Sequence, residues 1–306
     1  MSELNLPKCL FVGTAKAGTT TIEHALRAHP QVGIPRKETF FFDHELMGNG
    51  RLPYPKQRDT DTIVKTEAEY RELYSGAALT GKTAVEIGTG YLYHHAVAIP
   101  KIKQMLGVDT RIGMVLRDPV ERAWSSYMHF VKDTHETLSF RESIAAEVAR
   151  TAENWDFMWH HIAMGRYADQ VDAYISTFPN TRVFIFEDLR TDADAFMRGV
   201  FDLVGVPPVD LPPVKAQNPS GQPKYRGLQR LITTDNPVKG LLRPLVRMLV
   251  PEERRRKARK FVKEKNLTST GGLSAVDRTW LRDIYHDDVK RLSVSLGQDL
   301  FVKWRW

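Results

Sequence analysis

The stretch Cys9-Leu10-Phe11-Val12 runs into the glycine-rich turn Gly13-Thr14-Ala15-Lys16-Ala17-Gly18-Thr19-Thr20. The apolar run that closes on a glycine predicts a short buried strand. The spacing of the apolar residues beyond the turn predicts a helix over Thr19–Ala28. Glycines let the backbone turn tightly and bring its N–H groups close to an anion, and a helix N-terminus adds unpaired donors and a favourable dipole. The stretch therefore predicts a phosphate-binding loop between a strand and a helix.

The loop departs from the nucleoside-triphosphate pattern G-x-x-x-x-G-K-[ST] at one position. Gly13, Gly18 and Thr20 keep the spacing of that pattern, but Thr19 stands where its lysine should be. The only lysine of the loop, Lys16, lies inside the turn, where a cation faces the bridging oxygen and the transferring group of a nucleotide. A kinase or NTPase that uses ATP and Mg²⁺ stays open as an alternative, and the displaced lysine counts against it.

The rest of the chain alternates predicted strands with predicted helices. Strands are predicted over Thr83–Ile87, Ile112–Leu116 and Arg182–Phe186. Helices are predicted over Ala96–Leu106, Val120–Val131, Ser139–Ala152, Arg166–Thr177, Asp194–Val204 and Ser274–Leu296. This order indicates an α/β fold in three layers, a P-loop-like parallel sheet flanked by helices, with ligands at the carboxyl ends of the strands. We expect a single domain over residues 1–306, with a nucleotide-binding core in 1–205 and a closing loop and helical C-terminal extension in 206–306.

A second candidate anion site follows the strand that ends at Leu116. Arg117 comes at the strand end, and Pro119 fits the first turn of the next helix. Ser125 comes about two turns later in that helix. A bidentate guanidinium and a hydroxyl can converge there on one phosphate. The alternative is an ordinary helix start with a surface pair between Arg117 and Asp118.

Together these segments resemble the sulfotransferase family that uses 3′-phosphoadenosine 5′-phosphosulfate (PAPS), and in particular its bacterial and carbohydrate-type branch, which includes the heparan sulfate sulfotransferases. Further motifs match in the same order along the chain. They are Lys37–Asp43 (K-E-x-x-F-F-D), Glu86–Tyr91 (E-x-T-P-x-Y, with Gly88 and Thr89 in place of Thr and Pro), Gly165–Tyr167, Phe186–Leu189 and Leu296–Leu300. The resemblance implies a sulfotransferase that takes PAPS as donor co-substrate and needs no metal.

The resemblance also implies roles for individual residues in binding the donor. Lys16 contacts the phosphosulfate bridge, and Arg117 and Ser125 hold the 3′-phosphate. A basic loop, here Asn218–Arg226, closes over the nucleotide and supplies Lys224 and Arg226. The 5′-phosphate is cradled by the loop residues Ala17, Gly18, Thr19 and Thr20.

Sulfuryl transfer resembles phosphoryl transfer, in which positioning and electrostatics do most of the catalysis. Lys16 is placed to stabilise the leaving phosphate during an in-line transfer. The resemblance assigns Glu38 as the general base, and the alternative for this residue is a salt bridge to Lys37 or Arg36. The acceptor hydroxyl stays open among a carbohydrate or glycoconjugate, a lipid and a small metabolite, and an amine acceptor also fits.

Composition bears on the compartment and on the partners. Cys9 is the only cysteine, Met1–Pro7 lacks the features of a signal peptide and no apolar run approaches about 18 residues, so we expect a soluble, cytoplasmic protein. Of the net charge of +7, the segment Pro251–Lys265 carries +5, from eight Lys/Arg against three Glu. We interpret Arg254–Lys265 as a solvated helix face, with an anionic acceptor or a membrane surface as alternatives. No nucleic acid is expected, although a non-enzymatic anion or nucleic-acid binder that uses this segment is a further alternative.

Two pairs of adjacent histidines, His94-His95 and His160-His161, are the candidate metal ligands of the sequence. Neighbouring side chains point apart and cannot chelate one ion as an i, i+4 pair would. No metal site is therefore predicted.

Overall fold

The computed structural model describes residues 5–47, 63–210, 222–225, 227, 266–268 and 272–306. Its main sheet is built from five strands, which are β1 (Cys9–Gly13), β2 (Val32–Gly33), β3 (Thr83–Ile87), β4 (Arg111–Leu116) and β5 (Thr181–Ile185). The strands lie in the order β2-β3-β1-β4-β5, and every neighbouring pair is parallel. The predicted parallel sheet is confirmed. The extra strand β2 is only two residues long, too short for a visible sequence pattern.

Helices fill the connections between the strands. They are α1 (Thr19–Ala28), α2 (Glu67–Leu73), α3 (His95–Leu106), α4 (Pro119–Lys132), α5 (Phe140–Ala145), α6 (Glu147–Ala152), α7 (Ala168–Thr177), α8 (Phe186–Thr191), α9 (Ala193–Val204), α10 (Ala275–Leu296) and α11 (Leu300–Trp304). The single helix predicted over Ser139–Ala152 is wrong, because α5 and α6 meet at Ala146 as two helices. At this break the Glu147 carboxylate turns inward and accepts hydrogen bonds from the N–H groups of Ile162 and Ala163, at 2.7 and 2.9 Å.

Alternate residues of β1 enter two separate hydrophobic clusters. Leu10 and Val12 pack on one face of the sheet with residues of α3, α4, α7 and α10. Cys9 and Phe11 pack on the other face with residues of α1 and α9. Since both faces are covered by helices, the central strand is apolar throughout. The predicted three-layer α/β architecture is confirmed.

The strand order creates a crevice at the carboxyl end of β1. After β1 the chain forms β2 and β3 on one side, and it then crosses to form β4 and β5 on the other. Such a reversal leaves an opening above the central strand, where α/β proteins bind ligands. The glycine-rich turn leaves β1 at this point. The fold therefore places the predicted phosphate loop in the crevice.

The C-terminal extension packs on the same layer as α4 and α7. The Tyr285 hydroxyl on α10 donates to the His161 carbonyl at 3.2 Å. Asp288 accepts from the Tyr167 N–H at 2.7 Å. None of the described helices combines the length and apolar character that a membrane span requires. A short antiparallel pair, β6 (Gln222–Pro223) and β7 (Leu267–Thr268), precedes α10.

Two predictions are left open by this part of the chain. The division into 1–205 and 206–306 stays a prediction. The basic segment Pro251–Lys265 lies outside the described residues.

Candidate active site

The loop between β1 and α1 has the backbone geometry of an anion site. The Thr14 N–H donates to the Val115 carbonyl at 2.9 Å and fixes the loop to β4. Gly18 adopts φ 87°, and a Cβ at this position would lie 2.8 Å from a ring carbon of Phe186. Glycine is therefore required both by the backbone and by the space. Helix α1 begins here with no side-chain cap and no acidic residue in its first turn, so its first N–H groups are suited to an anion.

Lys16 adopts a left-handed backbone conformation, with φ 73°. Burial, together with the charges of Lys132, Arg117 and Arg122, lowers the pKa of its ammonium to about 8, against an opposing effect of Asp133. In the described part of the chain no carboxylate lies within 4.0 Å of the Lys16 Nζ. An ammonium held in this way is stabilised by an incoming anion.

Arg117 lies beside this loop at the end of β4. Its Nη1 donates to the Lys16 carbonyl at 3.1 Å, and its guanidinium lies 5.0 Å from the centre of the Phe186 ring. Its carboxylate partner is Glu121, at 3.7 Å, and not Asp118. Asp118 instead caps α4 by accepting from the Val120 N–H at 2.9 Å, and burial raises its pKa to about 6. The Arg–Asp surface pair is therefore wrong, and the structure brings Arg117 to the phosphate loop.

The structure does not join Ser125 or Lys224, which are also predicted to bind the nucleotide, to the phosphate loop by a hydrogen bond. Ser125 lies one helical turn beyond Glu121 on the same face of α4. Its hydroxyl makes no hydrogen bond within the described ranges. Lys224 is exposed, and its N–H donates to the Asn266 carbonyl at 2.6 Å, next to β6, whose backbone runs alongside α4. No hydrogen bond or ion pair between described residues joins Lys224 to the phosphate loop, and Arg226 lies outside the described residues.

Glu38 is held at the carboxyl end of β3. Its backbone has φ 56°, its N–H donates to the Ile87 carbonyl at 2.9 Å, and its Oε1 accepts from the Thr89 hydroxyl at 3.1 Å. Lys37 pairs with Glu23 at 3.0 Å instead. The salt bridge to Lys37 is therefore wrong. Glu38 forms no ion pair with any residue that the structure describes.

Lys37 links this turn to the phosphate loop. Its Nζ donates to the Thr20 hydroxyl at 2.9 Å while it pairs with Glu23 on α1. Thr20 is among the residues predicted to cradle the 5′-phosphate. Sequence reasoning missed this contact, because a lysine next to a glutamate gives no sign of a partner on another element.

Glu86 forms a buried node beneath Glu38. Its carboxylate accepts from the hydroxyls of Thr39 and Tyr91, at 2.5 and 2.7 Å, and also from that of Tyr70. Burial raises its pKa. Thr39 directly follows Glu38 in the chain, so this node fixes the turn that presents Glu38. The segment that resembles E-x-T-P-x-Y therefore stabilises the turn that carries Glu38.

In each of the two histidine pairs, one imidazole ring lies within hydrogen-bonding distance of a nearby side chain. The Nδ1 of His94 lies 2.9 Å from the Oδ2 of Asp43. The Nδ1 of His160 lies 2.9 Å from the Tyr93 hydroxyl, and burial lowers the pKa of His160 to about 4. No group of three His, Cys, Asp or Glu side chains among the described residues is arranged to hold a metal ion. The absence of a metal requirement stays a prediction.

Comparisons with known proteins match the part of the chain that contains these residues. The sequence model of the sulfotransferase family matches residues 7–210, more than half of the chain. The mouse heparan sulfate glucosamine 3-O-sulfotransferase 3B1 is 27% identical over 208 residues, which cover 66% of this chain and 46% of that protein. The human bifunctional heparan sulfate N-deacetylase/N-sulfotransferase 3 is 27% identical over 222 residues, covering 66% of this chain and 23% of that protein. The chain thus spans less than half the length of these two relatives.

Solved structures show the likeness over the full fold. A crystal structure of a sulfotransferase from Alicyclobacillus acidocaldarius superposes with a TM-score of 0.71 at 25% identity, covering 98% of this chain and 99% of that one. The mouse sulfotransferase SULT7A1 complexed with PAP superposes with a TM-score of 0.51 at 10% identity, over 97% and 88% of the two chains, and shows likeness of fold alone. The family match spans the phosphate loop, the strand end at Arg117 and the turn at Glu38, and we conclude that this chain belongs to the sulfotransferase family.

Proposed function

We propose that the protein transfers the sulfuryl group of PAPS to an acceptor hydroxyl, with Lys16 and Glu38 as catalytic residues. The observation that carries this proposal is the phosphate loop itself, whose internal ammonium is buried among other cations and has a lowered pKa. A bound phosphosulfate would supply the negatively charged partner that the described residues do not give this ammonium. That a mouse protein of the same fold was solved in complex with PAP supports the choice of donor.

The transfer is an in-line displacement at sulfur. The acceptor oxygen forms a bond to sulfur while the bond between sulfur and the bridging oxygen breaks, and the acceptor proton passes to the Glu38 carboxylate. The electron pair of the broken bond stays on the 5′-phosphate, where negative charge develops. Lys16 stabilises that charge in the transition state more than in the ground state, which is the condition for catalysis.

Glu38 is suited to the role of base by its surroundings. Lys37 is engaged by Glu23 and Thr20, so its charge does not neutralise Glu38. The Thr89 hydroxyl orients one carboxylate oxygen at 3.1 Å and leaves the other available. A positioned carboxylate of this kind contributes roughly 10²–10⁴-fold to the rate.

Arg117 and Ser125 supply the proposed 3′-phosphate site. One edge of the guanidinium is used on the Lys16 carbonyl, and one face lies over Phe186. The remaining N–H groups suit a phosphate, and the Ser125 hydroxyl on the same face of α4 adds a donor. This site distinguishes the donor from ATP, which has no 3′-phosphate.

We propose a carbohydrate or glycoconjugate hydroxyl as the acceptor. The curated relatives named above act on heparan sulfate according to their names, which supports this class. Lys101 on α3 is paired with Glu45 at 3.0 Å, so this lysine does not offer a free cation to an acidic glycan. A lipid, a small metabolite and an amine are further arms of the acceptor test.

The first experiment is a thermal-shift series with adenosine 3′,5′-bisphosphate, adenosine 5′-monophosphate and ATP with Mg²⁺. A ligand at 100 times its Kd stabilises the native state by about 2.7 kcal/mol. We expect the bisphosphate to raise the melting temperature most. A larger shift with ATP and Mg²⁺ would favour the kinase alternative and refute the assignment. A panel of sugars, lipids, phenols and amines with ³⁵S-labelled PAPS then identifies the acceptor.

A further inference from the structure

Helices α10 and α11 lie beyond residues 7–210, to which the family match extends, yet they support the strand end that carries Arg117. We propose that Arg278, on α10, is a positioning residue for the 3′-phosphate site and acts through Glu121. The inference rests on the proposed function, since it concerns the phosphate that Arg117 is proposed to bind.

Glu121 lies between two guanidinium groups. Its Oε1 is 2.6 Å from the Nη2 of Arg278, whereas its Oε2 is 3.7 Å from the Nη2 of Arg117. The shorter, charge-assisted contact is therefore the one to Arg278. Arg278 takes up most of the carboxylate charge and leaves the Arg117 guanidinium to attract an anion.

Arg278 is itself held in a fixed place. It lies in the first turn of α10, where the Ser274 hydroxyl accepts from the Asp277 N–H at 3.0 Å as the helix cap. Asp277 also pairs with Arg141 on α5 at 2.6 Å. The start of α10 is thus tied at two points before Arg278 reaches Glu121.

Two further connections fix the backbone of the same strand end. The Tyr167 hydroxyl donates to the Arg117 carbonyl at 3.1 Å, and Asp288 of α10 accepts from the Tyr167 N–H. On the other side, Trp304 of α11 donates to one oxygen of Glu187 at 3.1 Å, and the Asp118 N–H donates to the other oxygen at 3.3 Å. These contacts hold the main chain, so the Arg278–Glu121 pair is the link that acts on the Arg117 side chain.

Without Arg278, Glu121 would be left with Arg117 as the one cation within 4.0 Å of it among the described residues. Its full charge would then compete with the 3′-phosphate for the same N–H groups and would repel the phosphate at close range. The loss should fall on the 3′-phosphate and spare the 5′-phosphate, which the glycine loop holds.

The experiment measures binding of adenosine 3′,5′-bisphosphate and adenosine 5′-monophosphate by calorimetry to the full chain. We expect Arg278→Ala to raise the Kd of the bisphosphate about 5- to 20-fold and that of the monophosphate less than about 2-fold. In a Glu121→Gln background the same substitution should change either Kd by less than about 2-fold, because the charge that Arg278 holds is absent. Arg278→Lys keeps the cation and should stay within about 3-fold of the wild type.

Arg291→Ala is the matched control, because Arg291 lies on the same helix and pairs with Asp169 at the surface. It should leave both Kd values unchanged. Equal weakening of the two nucleotides by Arg278→Ala, or a loss that persists with Glu121→Gln, would show a merely structural role and overturn the inference. A wild-type protein that does not bind the bisphosphate would refute the proposed function itself. Tight wild-type binding that Arg278→Ala leaves unchanged would refute only the role of Arg278.

Discussion

Replacing Lys16 by methionine should stabilise the nucleotide-free protein while it abolishes sulfuryl transfer. Methionine has a similar length and no charge, so Lys16→Met removes the ammonium that burial and neighbouring cations destabilise. The folded-state pKa of about 8, against an ordinary value of 10.5, corresponds at about 1.36 kcal/mol per pKa unit to roughly 3 kcal/mol. Solvent still reaches part of the residue, so we expect a gain in the free energy of unfolding of about 1–3 kcal/mol.

The pH dependence of this gain identifies its cause. The unfolded chain keeps the Lys16 proton up to about pH 10.5, whereas the folded chain releases it from about pH 8. The destabilisation is therefore complete below pH 8, shrinks between pH 8 and 10.5, and is absent above that range. The advantage of Lys16→Met over the wild type should follow the same course.

Urea unfolding of the wild type and Lys16→Met without nucleotide measures the difference in their free energies of unfolding at pH 7 and at pH 9.5. Lys103→Met, at an exposed position on α3, is the control and should change stability by less than about 0.5 kcal/mol. A variant that is no more stable than the wild type at pH 7, or a difference that does not shrink at pH 9.5, would refute the reasoning. Saturating adenosine 3′,5′-bisphosphate should stabilise the wild type more than Lys16→Met.

Substitutions at three further positions probe the rest of the site. Glu38→Gln should keep the bisphosphate Kd within about 3-fold and lower turnover by roughly 10²–10⁴-fold with an acceptor from the panel; unchanged turnover would remove Glu38 from the mechanism. Gly18→Ala should lower stability by about 1–2 kcal/mol through its positive φ and abolish the bisphosphate thermal shift, because the new Cβ meets Phe186. Glu86→Ala should lower the free energy of unfolding by about 3 kcal/mol or more, since it leaves buried hydroxyls such as that of Tyr70 without their acceptor. Glu86→Gln keeps a polar group in place and should cost less, and equal losses for the two variants would contradict this account.

The sequence was sufficient for the layers of the fold, because strands buried on both faces are apolar throughout. The sequence did not predict features that depend on contacts between different secondary-structure elements. The division between α5 and α6 depends on the N–H groups of Ile162 and Ala163, which Glu147 reaches only in the folded chain. Helix α2, by contrast, carries a local signal, since Thr66 and Glu69 form a capping box that the sequence already shows.

The site divides in the same way. The glycine turn and its lysine are a contiguous motif, and the order of strands brings Arg117 beside them. The partners of the charged residues are not local. Lys37 pairs with Glu23 on another element, and Arg278 reaches Glu121 from the far end of the chain. Sequence patterns therefore predict the groups that would bind the proposed nucleotide, and the structure adds the charged residues that pair with them.

The loops of the site hold unfavourable conformations in addition to an unfavourable charge. Lys16 and Glu38, the two proposed catalytic residues, and Phe40 all have positive φ, at 73°, 56° and 58°. A left-handed conformation costs about 1–2 kcal/mol in residues other than glycine, so the surrounding contacts must stabilise it. Around Glu38 this support comes from the buried Glu86 node through Thr39. Around Lys16 the described residues offer a hydrogen bond from Arg117 to the carbonyl but no carboxylate within 4.0 Å of the ammonium. Under the proposed function, the negative charge of the donor supplies that missing contact, and part of its binding energy should be spent on stabilising the buried ammonium.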